Sequence, residues 1–180
     1  MMQSSPPRGP ISTWTCAPLF AKAPGPQPGI LLAEQSFSTA QEDANVVGNI
    51  YFANYAVWQG RVTDRFFQSA APHYFEDRGA RGELHRAETS ISQLRDAMPF
   101  DEISVVMRLD ELYERGARLS FDFFRHEPEG ITKIAAGRNL VSWAMIERGA
   151  APTVLNWPDE LREAMLACVD ERGDALKKYA

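Results

Sequence analysis

Side chains able to hold or polarise a substrate crowd into one stretch of this sequence, Glu42 to Arg61. Asp43, Asn45, Asn49, Tyr51, Tyr55 and Arg61 fall within it, around a turn-forming Gly48. Elsewhere the chemistry-bearing types are scattered. His73, His85 and His126 stand without a CxxC, HExxH or paired-carboxylate context, and Cys16 and Cys168 make neither a metal pattern nor a disulfide framework. No metal site and no cofactor is expected, and no glycine-rich phosphate loop is present. Asn45 carries an amide, which donates and accepts hydrogen bonds but serves neither as a base nor as a carboxylate nucleophile. The stretch also begins a helix, where free N–H groups and the positive dipole end favour negative charge.

That helix is predicted from Ile50 to about Ala71. Tyr51, Tyr55, Trp58, Val62 and Phe66 recur at helical steps, and Phe52, Ala56 and Phe67 widen the apolar stripe. An arc this broad calls for a sheet wrapped around it. Gly60 inside the pattern costs roughly 1 kcal/mol relative to alanine, which points to close approach of another backbone. Pro72 ends the helix. A first strand is read at Ala33 to Gln41. Four more come after the helix, at Glu83 to Arg95, Ile103 to Leu109, Arg118 to Arg125 and Ile131 to Ile146. Leu119, Phe121 and Phe123 alternate against polar partners, as in a sheet with one buried face, and Glu127-Pro128-Glu129-Gly130 is a turn. Pro158 marks the start of a terminal helix whose apolar face is Leu161, Met165, Leu166 and Val169. The layout is α+β, an antiparallel β-sheet wrapped around a long central α-helix.

The bulk properties narrow the function. A chain of 180 residues suits one domain, and a net charge of −5 disfavours nucleic acid, which needs a concentrated basic surface. No apolar run is long enough to span a membrane, and no basic segment with an apolar core opens the chain, so the expected location is cytoplasmic. Residues 1–29 are crowded with Pro and Gly and read as a disordered tail, leaving 30–180 as a single domain. Thr13-Trp14-Thr15 and Leu19-Phe20 are the tail's only candidates for docking on a surface.

The run Glu42-Asp43-Ala44-Asn45-Val46-Val47-Gly48-Asn49-Ile50-Tyr51-Phe52-Ala53-Asn54-Tyr55-Ala56-Val57-Trp58-Gln59-Gly60-Arg61 resembles the start of the central helix in hot-dog-fold thioesterases of the 4-hydroxybenzoyl-CoA type. It is more strongly similar to the standalone thioesterases of enediyne polyketide synthases, in which Val-Gly-Asn, Tyr-rich and Trp-Gln-Gly-Arg sequences are characteristic. Pro99-Phe100-Asp101-Glu102-Ile103-Ser104-Val105 is also similar to a strand start in that family. The resemblance covers roughly Phe37 to Leu166 and implies the hot-dog fold. Benzoyl-CoA-type members have a catalytic Asp where this chain has Asn45. The enediyne group resembles this chain there, and Asp43 does not occupy the matching position. The resemblance implies a thioesterase that works without that carboxylate. The backbone amides of Tyr51 and Phe52 would polarise the thioester carbonyl, and Asn45 would orient water or the thioester. Gly48, Asn49 and Tyr55 would contact substrate. The alternatives stay open that Asn45 caps the helix and that Tyr55 is core.

Arg61 lies ten positions after Tyr51, roughly 15 Å along a helix, so the two cannot share a tight site within one chain. It serves an extended substrate or carrier, a site across a dimer interface, or an ion pair with Asp64. The resemblance implies a homodimer or homotetramer, and an acyl or polyketide thioester carried by an acyl carrier protein, a polyketide synthase or coenzyme A. The competing functions are a dehydratase or cyclase acting on a tethered chain, and a non-catalytic acyl-carrier-binding module. The absence of a histidine from the helix start disfavours the dehydratase.

Overall fold

The structure is a computed structural model that describes residues 29–76 and 81–171. The expected tail lies outside the described residues except for Gly29, as does the C-terminal end beyond Glu171. Along the chain come β1 (Ile30–Ser38), a 3-10 turn (Gln41–Asp43), α1 (Ala53–Ala70), the short α2 (His73–Glu76), β2 (Glu83–Gln93), β3 (Glu102–Leu112), β4 (Ala117–Glu127), β5 (Gly130–Met145), β6 (Thr153–Leu155) and α3 (Asp159–Glu171). The strands form one six-stranded antiparallel sheet in the order β1-β3-β4-β5-β2, with β6 also pairing β5. β4 accompanies β5 as far as Val141, and β6 takes up the same edge from Trp143. No helix among the described residues is long and apolar enough to cross a membrane.

α1 lies across one face of this sheet. It buries Tyr55, Trp58, Gln59, Val62, Thr63 and Phe67. The facing side chains are Ile103, Val105, Met107 and Leu109 of β3 with Leu119, Phe121 and Phe123 of β4. Each large side chain withdrawn from water there stabilises the fold by about 1.5–3 kcal/mol. Phe37 of β1 stacks on Trp58 at 5.7 Å, and Phe67 stacks on Trp157 at 5.4 Å. Leu161 and Met165 of α3 close the far end of the core. β3 reads as only partly alternating for a physical reason. Val106 turns to the opposite face of the sheet and packs with Leu31 and Phe124.

The elements keep the expected order with shifted ends. β1 begins at Ile30 and stops at Ser38, with Thr39 still bonded through its N–H to the Asp101 carbonyl and through its carbonyl to the Phe100 N–H. α1 begins at Ala53 and not at Ile50, because Ile50 is held extended by its antiparallel bridge to Ala44, with its N–H on the Ala97 carbonyl (2.8 Å) and the Tyr51 N–H on the Asp43 carbonyl (2.8 Å). It stops at Ala70 since Ala71, preceding Pro72, is pushed off helical geometry (φ −148, ψ 76). The short α2 and β6 are not anticipated by the sequence pattern. Gly60 is a correction. Among the described residues what approaches it is no backbone but the Arg86 side chain, whose Nη2 donates to the Gly60 carbonyl at 3.3 Å. A methyl group there would stand 3.7 Å from that nitrogen, an ordinary contact.

Candidate active site

The site grows out of the connection between β1 and α1. Thr39 follows β1, its N–H donating to the Asp101 carbonyl (2.9 Å) and its hydroxyl to the Met98 carbonyl (2.8 Å). In the 3-10 turn the Asp43 carboxylate accepts the Ala40 N–H at 2.8 Å. Ala44 and Ile50 then pair antiparallel and close a small hairpin. Within it the Gly48 N–H donates to the Asn45 carbonyl (3.0 Å) and the Asn45 N–H to the Asn49 carbonyl (2.8 Å). Gly48 has φ +93, a left-handed conformation that glycine alone adopts without strain, and no neighbour crowds it. Val46 and Val47 form the tip, 105% and 81% exposed.

Asn45 is the fastener of this hairpin. Its Oδ1 accepts the Val47 N–H at 2.9 Å, and its Nδ2 donates to Asn49 Oδ1 at 2.5 Å. One Nδ2–H of Asn45 remains, together with the amide N–H groups of Asn49. Both residues are half-buried, so those donors border solvent. Capping of α1 by Asn45 is excluded by geometry: Phe52 is the N-cap residue, and the Asn45 side chain bonds to Val47 and Asn49 instead.

The Asp43 carbonyl fixes the entry to α1, accepting both the Tyr51 N–H and, at 2.9 Å, Asn54 Nδ2. This corrects the pairing expected of the backbone donors. The Tyr51 amide is engaged in the fold, whereas the Phe52 N–H meets no acceptor among the described residues. Phe52 stands at the positive end of an 18-residue helix and is 49% exposed. Asn45, Gly48 and Asn49 lie in the hairpin that leads, through Ile50 and Tyr51, to the Phe52 amide at the start of α1. The arrangement can accept a carbonyl oxygen on the Phe52 N–H, with the asparagine amides in the hairpin that precedes it along the chain.

Two expected site residues lie elsewhere. Tyr55 is fully buried, 5.3 Å from the Trp58 ring and 5.5 Å from Phe123, so within one chain it is core and not substrate surface. Its hydroxyl makes no well-formed hydrogen bond, although the Ala97 N–H faces it. Burial pushes its phenol above the ordinary value, and that N–H offsets part of the rise. Arg61 is exposed on the solvent side of α1, in line with Asn54, Val57 and Gln68. It makes no ion pair with a described residue, since Asp64 is held by Arg86. Sequence reasoning overlooked the Asp43 carbonyl, and it registered Pro99-Phe100-Asp101 only as similar to a strand start and not as a turn beside the candidate site.

Comparison with known structures identifies the kin of this arrangement. The dynemicin thioesterase, whose crystal structures reveal induced-fit and allosteric effects upon polyene binding, is 30% identical to this chain, with 75% of this chain and 94% of that one covered and a TM-score of 0.66. The chain belongs to the hot-dog-fold thioesterases of the 4-hydroxybenzoyl-CoA type. A mutant 4-hydroxybenzoyl-CoA thioesterase complexed with 4-hydroxybenzoyl-CoA shares the fold at 15% identity, covering 74% of this chain and 97% of that one, with a TM-score of 0.65. The 4-hydroxybenzoyl-CoA thioesterase from Pseudomonas sp. strain CBS-3 does so at 15% identity, covering 73% and 97%, with a TM-score of 0.64. No protein-family model and no curated protein matches the sequence. The expected hot-dog fold is therefore present, with α1 as its central helix.

Proposed function

We propose that this thioesterase releases an acyl or polyketide chain from an acyl carrier protein or polyketide synthase as the free acid, without a carboxylate base. The observation that carries the reading is the Phe52 N–H at the start of α1, which meets no acceptor among the described residues and follows directly on the hairpin fastened by Asn45 and Asn49. A thioester is an activated acyl group. Water adds to its carbonyl carbon, and the electrons displaced onto the oxygen are held by the Phe52 N–H and the helix dipole. Collapse expels the thiolate, and the proton shed by the water ends on sulfur. One oriented donor at the oxyanion contributes about 3 kcal/mol. The spare N–H of Asn45 orients the water or the thioester. The likeness to a thioesterase that binds a polyene supports a polyketide-type chain over a small metabolite.

The same reading includes a homodimer or homotetramer. Among the described residues β2 pairs only with β5, which leaves its other edge open. α1 overlies it at Gly60 and Arg86, and Val57 on the adjacent helix face is 45% exposed. An open edge beside an exposed apolar helix face suits a second copy. Arg61 would then serve the neighbouring subunit's site or the carrier. The test is mass spectrometry of a carrier protein and of coenzyme A, each loaded with defined acyl chains and exposed to the protein. Free acid with unloaded carrier is expected. A product lighter by water would point to a dehydratase or cyclase, and unchanged thioesters to a binding module.

A further inference from the structure

The loop between β2 and β3 holds a residue that the fold does not explain. Met98-Pro99-Phe100-Asp101 makes a β-turn closed by the Asp101 N–H donating to the Met98 carbonyl at 3.2 Å. Phe100, in its third position, has φ 72, and no other non-glycine residue described has a positive φ. Proline before a left-handed residue is the type II pattern, whose third position favours glycine or asparagine. A bulky side chain there is strained. The strain persists because the turn is held on several sides. The Phe100 N–H donates to the Thr39 carbonyl (3.0 Å), the Met98 N–H to Asp101 Oδ2 (2.8 Å), and the Thr39 hydroxyl to the carbonyls of Met98 (2.8 Å) and Asp101 (3.0 Å). Yet the ring packs on little: Phe100 is 78% exposed and Met98 46%. Glycine would relieve the backbone and forfeit no core contact.

The turn borders the candidate site. Ala97, just before it, accepts the Ile50 N–H, and its own N–H faces the Tyr55 hydroxyl. Tyr55 in turn touches the Phe52 ring, the centroids 6.3 Å apart. The Ala97–Ile50 bond thus brings the exposed Met98 and Phe100 alongside the segment that continues into the exposed Tyr51 (57%) and Phe52 (49%). These four side chains carry no charge, so they favour an uncharged apolar chain over a charged headgroup.

We infer that Phe100, with Met98 beside it, is the wall against which the acyl chain lies while its thioester carbonyl rests on the Phe52 N–H, so that Phe100 sets chain-length selectivity. This rests on the thioesterase reading above. The test compares wild type, Phe100→Gly, Phe100→Asn and Phe100→Leu on acyl thioesters from two carbons upward. Calorimetric binding of a free long-chain acid is measured alongside. Gly and Asn accept the left-handed turn, so both variants should melt at or above the wild-type temperature. Their preference for long over short chains, read as a ratio of kcat/KM, should fall about tenfold or more and appear mainly in KM, because burying an aromatic side chain is worth one to two decades in affinity. Phe100→Leu should restore most of the preference. An unchanged length profile overturns the inference. So does a variant that shifts the oligomeric state and leaves selectivity alone, because a second copy would then cover the ring. If wild type cleaves no thioester, the thioesterase reading has failed. The calorimetry still decides the wall: acid bound by wild type and lost in Phe100→Gly supports it, and equal binding overturns it.

Discussion

Replacing Asn45 separates its two jobs. Asn45→Ala removes a bond to the Val47 N–H and a bond to Asn49 Oδ1. Val47 lies at an exposed tip and Asn49 is half-buried, so water can satisfy both orphaned groups. At about 1 kcal/mol net per hydrogen bond the cost is about 1–2 kcal/mol. A domain stable by about 5–15 kcal/mol remains essentially all folded after that loss. Hydrolysis should nevertheless fall on the order of a hundredfold, equivalent to about 2.7 kcal/mol of transition-state stabilisation, if the spare N–H orients water or thioester. Asn45→Asp is the sharper variant. Its carboxylate still accepts from Val47, and Asn49 can turn its amide to donate to it, so the hairpin survives while the donor is gone. Single-turnover hydrolysis of a loaded carrier, with urea unfolding of each variant, reads both effects. We expect Asn45→Asp to match wild type in stability and Asn45→Ala in rate. Wild-type turnover in Asn45→Ala would reduce Asn45 to a hairpin fastener and refute the donor role; wild-type turnover in Asn45→Asp alone would show that a carboxylate at this position can replace the donor.

Asp43→Asn should change turnover little, because the carboxylate only accepts the Ala40 N–H and an amide oxygen can do the same; an inactive variant in the same hydrolysis assay would restore a carboxylate mechanism. Arg61→Ala should leave the melting temperature unchanged, since Arg61 is exposed and pairs with no described residue, yet lower turnover; full activity would remove Arg61 from the mechanism. Gly60→Ala should stabilise an isolated subunit by about 0.5–1 kcal/mol, because a methyl group fits beside Arg86. If light scattering instead shows that it dissociates an oligomer, a neighbouring helix packs against Gly60 in the assembly. Tyr55→Phe deletes a buried hydroxyl without a well-formed bond and should be near neutral at pH 7. With the folded phenol raised above its unfolded value, the fold is favoured below about pH 10 and loses stability as pH rises towards the folded value. Urea melts of Tyr55→Phe should therefore show a shallower alkaline decline than wild type; an identical decline would contradict the assignment.

Periodicity alone made α1 legible, because an apolar arc running through Tyr55, Trp58, Val62 and Phe67 has to be covered by something. The alternation of Leu119, Phe121 and Phe123 likewise disclosed which face of β4 is buried. Motif order in Glu42 to Arg61 located the candidate site and the fold family, since those signals are local and survive without partners. What the sequence could not show is which backbone groups are already taken. Tyr51 and Phe52 are neighbours with equivalent amides, and only the folded hairpin engages the first with Asp43 and leaves the second open. Tyr55 looked like a substrate contact until the sheet closed over it, and Arg61 looked like a partner for Asp64 until Arg86 arrived from β2. Phe100 is the extreme case. Pro99 and the Met98–Asp101 bonds make its turn a local feature, but Thr39, far away in the chain, also holds it, so the sequence could announce a turn and not a strained phenylalanine within it. Propensity and periodicity are properties of neighbours in sequence, whereas the allocation of donors and acceptors is settled by residues that meet only when the sheet forms.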